Sequence, residues 1–421
     1  MTAADRAAAA VDVAGLVATA RALVRIRSDE GRETPAQEAM AEAMGAAGLD
    51  VDSWSIDLDR VTAHPACATE IERTDPVGVV GTLAGRGGGR SLILNGHVDV
   101  VPSGDPAAWT YPPYEGIVAD GRLYGRGALD LKGPLVAALY AVRAVREAGV
   151  RLAGPVHVQS VVGEEDGGLG TLAAILRGYR ADGAVVVEPT GLAVAPAQAG
   201  CLNFRIRVVG RAAHGAVREE GVSALDRLVP VLEALRRLEA DRNARLGGGP
   251  LFSRYATPFA ISVGTVRGGD WASSVPDHVT VEGRMGLAPS EDPDDARTEM
   301  GAALAGVSEV DAWFTDHPAE LTWWGGRFLA AETPTDHPLV ITLQEAAEAT
   351  LGRPVPLEGM TYGADMGLLA GVGGMPTVLF GAGDIRRAHR PDEWVGVDEL
   401  EAMARTLARA IVGFCGVAEA D

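Results

Sequence analysis

The sequence predicts an α/β fold: a largely parallel sheet flanked by helices, interrupted by a smaller inserted α+β unit. Two observations predict it. In the first half, short apolar runs bounded by glycine or proline alternate with helical patterns, as buried strands joined by crossover helices do. Near Ala199 the strands switch to strict alternation, the pattern of a half-exposed antiparallel sheet, and the buried pattern returns later. The expected boundaries are 1–198 and 316–421 for a discontinuous larger domain and 199–315 for the insertion.

Each element has its own reason. In "ETPAQEAMAEAMGAAGL" Thr34 stands as a helix cap with Gln37 three residues on, Pro35 at the first helical position and Gly48 near the end. "VGVVGTLAG", "SLILNGH", "GPVHVQSVV" and "DGAVVVEPT" read as buried strands, and "GPLVAALYAVRAVREAG" as a helix opened by Pro134 and closed by Gly149. "CLNFRIRVVG" puts Leu202, Phe204, Ile206 and Val208 on one face and Asn203, Arg205 and Arg207 on the other. "GVSALDRLVPVLEALRRLEA" follows as an amphipathic helix through Leu225, Leu228, Val229, Leu232 and Leu235, with a kink expected at Pro230. "FAISVGTVRGG" and "VTVEGRMGL" add strands, and "PDDARTEMGAALAGV" adds a helix. "HPLVITLQEAAEATLG", "MPTVLFGAG" and "VDELEAMARTLARAIVGFCG" then return to helix, buried strand and closing helix.

With 421 residues, 47% hydrophobic and 22% charged, the composition is that of a globular protein with room for two domains. A formal charge of −20 argues against nucleic acid or an anionic membrane as partner. Asp5, Arg6, Asp12 and Arg21 interrupt the alanine-rich N-terminus, which therefore does not read as a signal peptide. Three scattered cysteines without a CxxC read as reduced thiols, and the expected location is cytoplasmic.

Ligands of open α/β sheets bind beyond the carboxyl ends of the strands. There the chain places His97 and Asp99, then Glu164, Glu165 and Asp166, then Glu188, and after a glycine-rich turn His389; Asp130 precedes a helix. Alone, each has a plain structural reading: His97 with Asp99 as a turn, "GEED" as a solvated loop, Asp130 as a helix N-terminal acid, Glu188 as a residue before Pro189. Together the acids would repel one another unless something positive sat among them, and few basic residues fall at these points. Two divalent metals fit, and imidazole with carboxylate but no thiolate suits zinc, with cobalt or manganese as alternatives.

The motifs "LNGHVDVVP", "GRGALDLKG", "GEEDGG", "VVVEPT" and "AHRPDEWV" resemble, in that order, the zinc-dependent family that includes acetylornithine deacetylase, succinyl-diaminopimelate desuccinylase, aminoacylase and glutamate carboxypeptidase. "DGRLYGRGALD" and "RGYRADGAVVVEPT" look closest to its acetylornithine deacetylase-like and formylaminopyrimidine deformylase-like branch. The resemblance runs from about residue 20 to the C-terminus. It implies a zinc-peptidase-like catalytic domain and an inserted lid that forms a homodimer interface.

Carried over by motif, His97 and Glu188 would bind one zinc, Glu165 and His389 the second, and Asp130 would bridge them, giving two Zn2+ per chain. Asp99 would hydrogen-bond the far nitrogen of His97, and Glu164 would be the general base. His214 in "GRAAHGAVREEGVSAL" would reach a partner subunit's site and stabilise an oxyanion; the plain reading is a cap on the following turn. Arg284 would hold a substrate carboxylate, or is simply an exposed strand arginine. The sequence departs from the family at Ser273 in "GGDWASSVP", where asparagine is usual, and at Gly133-Pro134 in place of two glycines. Asp365 in "GADMG" also recurs in this branch and receives no role. The implied activity is hydrolysis of the amide of an N-acyl amino acid or N-acyl amine. A dipeptidase or carboxypeptidase-like action on short peptides is the alternative.

Overall fold

A computed structural model describes residues 1–419 as two compact units, one formed by residues 1–198, 331–360 and 364 onward, the other by 199–330 with 361–363. The expected return at 316 falls instead at 331, because strand Glu320–Phe328 pairs antiparallel with Gly200–Val209 and completes the inserted sheet. Its "WWGG" run breaks the alternation that would have marked it as a strand of that unit.

The larger unit is built on a nine-stranded sheet. Its centre is parallel: Val156–Val161, Leu92–His97, Gly183–Val186 and Thr377–Leu379 run side by side. Leu92–His97 is buried along its whole length, as a strand covered on both faces must be. The expectation of a largely parallel sheet applies to this centre. Toward the margins Asp50–Ser55, Val77–Leu83, Val194–Gln198 and Ala331–Glu332 add antiparallel pairings, so the sheet is mixed. Helices Lys132–Glu147 and Val397–Cys415 pack against each other, and nearly all of the first is buried.

Helix Thr34–Ala46 forms where its pattern predicts, but not with the expected cap. Thr34 lies inside the helix and donates to the Asp75 carbonyl, while the Gln37 amide reaches the Val77 and Ser160 carbonyls. Gln37 is therefore spent tying helix to sheet, a demand made by packing and invisible in local spacing.

The inserted unit holds a four-stranded antiparallel sheet, ordered Ile261–Gly268, His278–Leu287, Gly200–Val209, Glu320–Phe328. Leu202, Phe204, Ile206 and Val208 are buried on one face, as the alternation predicts. The helix over them runs unbroken from Ala224 to Leu246 through Pro230. It buries Leu228, Val231, Ala234 and Leu235, whereas Leu225 and Val229, assigned above to the core stripe, remain 54% and 53% exposed. Among the described residues no single helix is long and apolar enough to cross a membrane; Ala3–Ala9 and Val13–Val24 reach that length only as a pair bent by 57°.

Candidate metal centre

The site is made where parallel strands end. Leu92–His97 terminates on His97, Val156–Val161 runs into the turn bearing Glu164 and Glu165, and Gly183–Val186 leads to Glu188. Thr377–Leu379 passes through a glycine-rich turn and the short helical turn Ile385–Arg387 to His389. Asp130 arrives from the loop ahead of helix Lys132–Glu147. Two glycines are required by the turn after Val161: Gly163 (φ +69°) faces the Arg73 guanidinium, and Gly168 (φ +82°) leaves space for Asp365 Oδ1.

Asp130 sits between the imidazoles. Its Oδ1 is 3.2 Å from His97 Nε2 and its Oδ2 3.2 Å from His389 Nε2. His389 Nε2 lies 3.0 and 3.1 Å from the Glu165 oxygens, while His97 Nε2 lies 3.7 Å from Glu188 Oε1 and 3.8 Å from Glu164 Oε2. His97, Asp130 and Glu165 thus offer one group of donor atoms, and His97, Glu164 and Glu188 another, each within 4.8 Å. A third group, Asp270, Asp277 and His278, lies in the inserted unit and is largely exposed, with Asp277 and His278 already bonded to each other.

The electrostatics are those of an acid excess. Burial pushes the Glu164 carboxyl well above its usual value and the Glu188 charge adds to the rise; burial and Asp130 do the same to Glu188. Burial and Asp130 also raise Glu165. Burial opposes the Asp130 charge, yet its hydrogen bonds with His389 and His97 hold it well below the usual range. Burial disfavours the His389 cation, but Asp130 and Glu165 outweigh it and push that ring up to about 11. Glu188 Oε1 and Asp99 Oδ1 are buried without a hydrogen-bond partner. Crowded, under-satisfied carboxylates beside imidazole, with no thiol among them, fit a divalent cation pair.

Asp99 corrects one expectation. His97 Nδ1 is 2.9 Å from the Asp99 backbone carbonyl, whereas the nearer carboxylate oxygen is 3.6 Å away. The other oxygen accepts the Glu165 amide at 3.0 Å. A residue two positions on in a strand end can present its carbonyl more directly than its side chain. Asp99 thus meets the His97 ring through its backbone and ties that strand end to the Glu165 turn through its carboxylate.

Several supporting residues carried no role in the sequence reading. Glu393 is fully buried; its Oε2 accepts from Arg126 Nη1 at 2.5 Å, and its Oε1 accepts the Leu129 and Asp130 amides at 3.1 and 3.2 Å. Arg126 also donates to the Pro102 carbonyl, so one ion pair joins the loops that follow His97, carry Asp130 and follow His389. Glu393 lies inside "AHRPDEWV", and its position four residues past His389 was the available signal. Asp365 is buried beside the centre, accepts from Thr171 Oγ1 at 2.6 Å, and burial pushes it up to about 6. Asp166 turns away from the cluster: it accepts from Thr69, Glu70, Ile71 and Arg73, pinning segment 69–73 to the acidic turn.

In the inserted unit His214 and Ser273 come together. Residues 213–214 pair with 274–275, and the Gly215 amide donates to the Ser273 carbonyl at 2.6 Å. His214 is exposed, and its Nδ1 accepts the Ala216 amide, the capping role named above as the plain reading. Its Nε2 takes no part in that cap. Arg284, half-buried on strand His278–Leu287, donates to the Thr361 carbonyl at 3.4 Å.

The profile of peptidase family M20/M25/M40 matches residues 93–412. The N-formyl-4-amino-5-aminomethyl-2-methylpyrimidine deformylase of Bacillus subtilis is 28% identical over 388 residues, covering 87% of this chain and 86% of its own. The acetylornithine deacetylase of Proteus mirabilis is 27% identical over 346 residues, covering 80% and 82%. The di-peptidase Dug1p of Saccharomyces cerevisiae shares the fold at a TM-score of 0.75 and 13% identity, over 99% of both chains.

Proposed function

The chain belongs to peptidase family M20/M25/M40 and is a hydrolase of amide bonds; from that premise we propose that it is a dinuclear zinc amidohydrolase releasing a small acyl group from an N-acyl amino acid or related amine. One observation carries the reading: buried carboxylates outnumber the two imidazoles they surround, with Asp130 between the rings. His97 with Glu188, and Glu165 with His389, would hold the two ions, Asp130 contacting both. The ions, when bound, supply a water of lowered pKa and positive charge for the developing oxyanion.

Glu164 does the proton work. It is buried, its carboxyl is pushed upward, and it lies near the ligand side of His97. A carboxylate of raised pKa takes the proton of the attacking water and returns it to the leaving nitrogen. Glu393 and Arg126 hold the Asp130 backbone in register with the loop of His389. His214, supplied by a second copy, would donate to the oxyanion, with Ser273 beside it and Arg284 anchoring a substrate carboxylate. The exposed side of edge strand Ile261–Gly268, together with exposed Leu225 and Val229, supports the homodimer this requires. Cobalt or manganese would serve the same ligands, and a cytoplasmic location suits three free cysteines.

The test is a set of initial rates for zinc-loaded protein on matched formyl-, acetyl- and succinyl-amines and on dipeptides, with Glu164→Gln as reference. Preference for one acyl-amine, with a fall of about 10²–10⁴ in turnover in the variant at unchanged metal content, is the expected result. Wild-type turnover in Glu164→Gln would sink the mechanism. Activity confined to dipeptides would replace the deacylase reading with the peptidase one, which the Dug1p fold accommodates.

A further inference from the structure

Beside the loop that carries His389 lies a cleft of about 530 Å³, lined by Thr110, Tyr111, Tyr124, Arg387, Arg390 and Trp394, with Asp392 at its edge. That volume falls within the range of small-molecule sites. Its chemistry stands out in an acidic protein, because two arginines line it. The Arg387 guanidinium stacks 3.7 Å from the Trp394 ring centre, and its Nη1 is buried without a hydrogen-bond partner. That nitrogen forms a long ion pair with Glu399 Oε2 at 3.8 Å. Arg390 is exposed and has no ion pair or hydrogen bond among the described residues. The acid at the cleft is already engaged: Asp392 accepts the Thr110 amide at 2.7 Å and its hydroxyl at 2.8 Å.

Rings give the cleft its shape. Tyr111 and Tyr124 lie 4.8 Å apart, and Tyr124 is 6.4 Å from Trp394, its partner across neighbouring strands. Trp394 also carries Arg122, 4.0 Å from its ring centre, so its faces are committed to guanidinium and it works as a brace. The tyrosines remain as the flat apolar wall. Planar guanidinium forks match a carboxylate, and an aromatic wall matches a planar body attached to it.

The geometry points to a binding site for a planar carboxylate, such as an aromatic acid, in this cleft. Arg387 and Arg390 hold the carboxylate, and the ring lies against the wall made by Tyr111 and Tyr124. The site does not depend on the metal centre for its contacts, although both arginines flank His389 in the chain.

Benzoate and its neutral isostere benzamide are the probes, titrated calorimetrically into the full-length protein in zinc-loaded and metal-free form. Benzoate is expected to bind both forms alike and more tightly than benzamide. Arg390→Ala, which removes no internal bond, should weaken benzoate about tenfold, the worth of one charged hydrogen bond, with an unchanged melting temperature. Arg387→Lys, which keeps the charge but loses the stacked fork, should weaken it as well. Equal binding of benzoate and benzamide would overturn the site. So would benzoate binding that needs zinc and ignores Arg390→Ala, since the carboxylate would then sit at the metal centre. Neither result bears on the amidohydrolase reading, which is tested by turnover.

Discussion

Each unit buries charge, and they do it in opposite ways. In the inserted unit Arg242, 1% exposed, meets Glu291 through both nitrogens at 2.5 and 2.7 Å, Glu299 at 3.2 Å and the Gly286 carbonyl at 2.9 Å. Both Nη atoms are bonded and only Nε lacks a partner, so the charge is answered locally by the facing carboxylates. In the larger unit Asp130, Glu164, Glu165 and Glu188 surround His97 and His389, several carboxyls are pushed upward, and buried oxygens of Glu188 and Asp99 lack partners. A closed ion pair holds a fold together; an open one, with acid in excess, is arranged for a cation that arrives from outside.

The largest effect expected from this contrast is in the inserted unit. Arg242→Met leaves Glu291 buried without its partner and should lower stability by about 3–5 kcal/mol. Denaturant unfolding of Arg242→Met, Glu291→Leu and the double variant measures it. The double variant should recover most of the loss, because the site then holds no uncompensated charge. A double variant as unstable as the sum of the singles would show that the two residues do not couple, and the closed-pair reading would fall.

The same operation in the larger unit should act with the opposite sign when metal is absent. Glu188→Gln removes one of the crowded carboxylates, so the metal-free protein should melt higher than wild type. The stabilisation wild type gains on adding zinc, about 2.7 kcal/mol at a hundredfold excess over Kd, should shrink in the variant. Thermal melts with and without zinc, read beside metal content, decide it. A variant that melts lower without metal and responds normally to zinc would mean that Glu188 is structural.

How much of this was legible in the sequence differs between the units for the same reason. The centre of the larger sheet was readable because strands covered on both faces are continuous apolar runs, and acids at their ends stand out. The motif around His389 contains Glu393 but does not reveal its role, because its partners Arg126, Leu129 and Asp130 lie more than 260 residues away. Gln37 matches a capping pattern in local spacing, yet its targets, the Val77 and Ser160 carbonyls, are likewise distant in sequence. In the inserted unit, period-3.6 spacing marked the helix correctly but could not separate Leu228, which faces the sheet, from Leu225 and Val229, which do not. Apolar residues on a face meant for another surface read like core.

The effect at Asp365 is the one that isolates acid excess from metal ligation. Asp365 belongs to the cluster's surroundings without being among the proposed ligands, and burial pushes its carboxyl from 3.8 to about 6, against the hydrogen bond from Thr171. An acid with a raised value in the fold holds its proton more tightly folded than unfolded. Its stabilising contribution is therefore complete below 3.8 and is lost as pH rises through about 6. In metal-free protein this residue should contribute a decline of at most about 1.4 kcal/mol per pH unit across that window. Asp365→Asn, which keeps an oxygen to accept from Thr171, should flatten that decline while leaving the profile above the window parallel to wild type. Bound metal should also flatten it, since positive charge at the centre favours the ionised form. If the metal-free profiles of Asp365→Asn and wild type coincide throughout, the excess acid is confined to the ligands themselves, and the contrast with the inserted unit narrows to those residues alone.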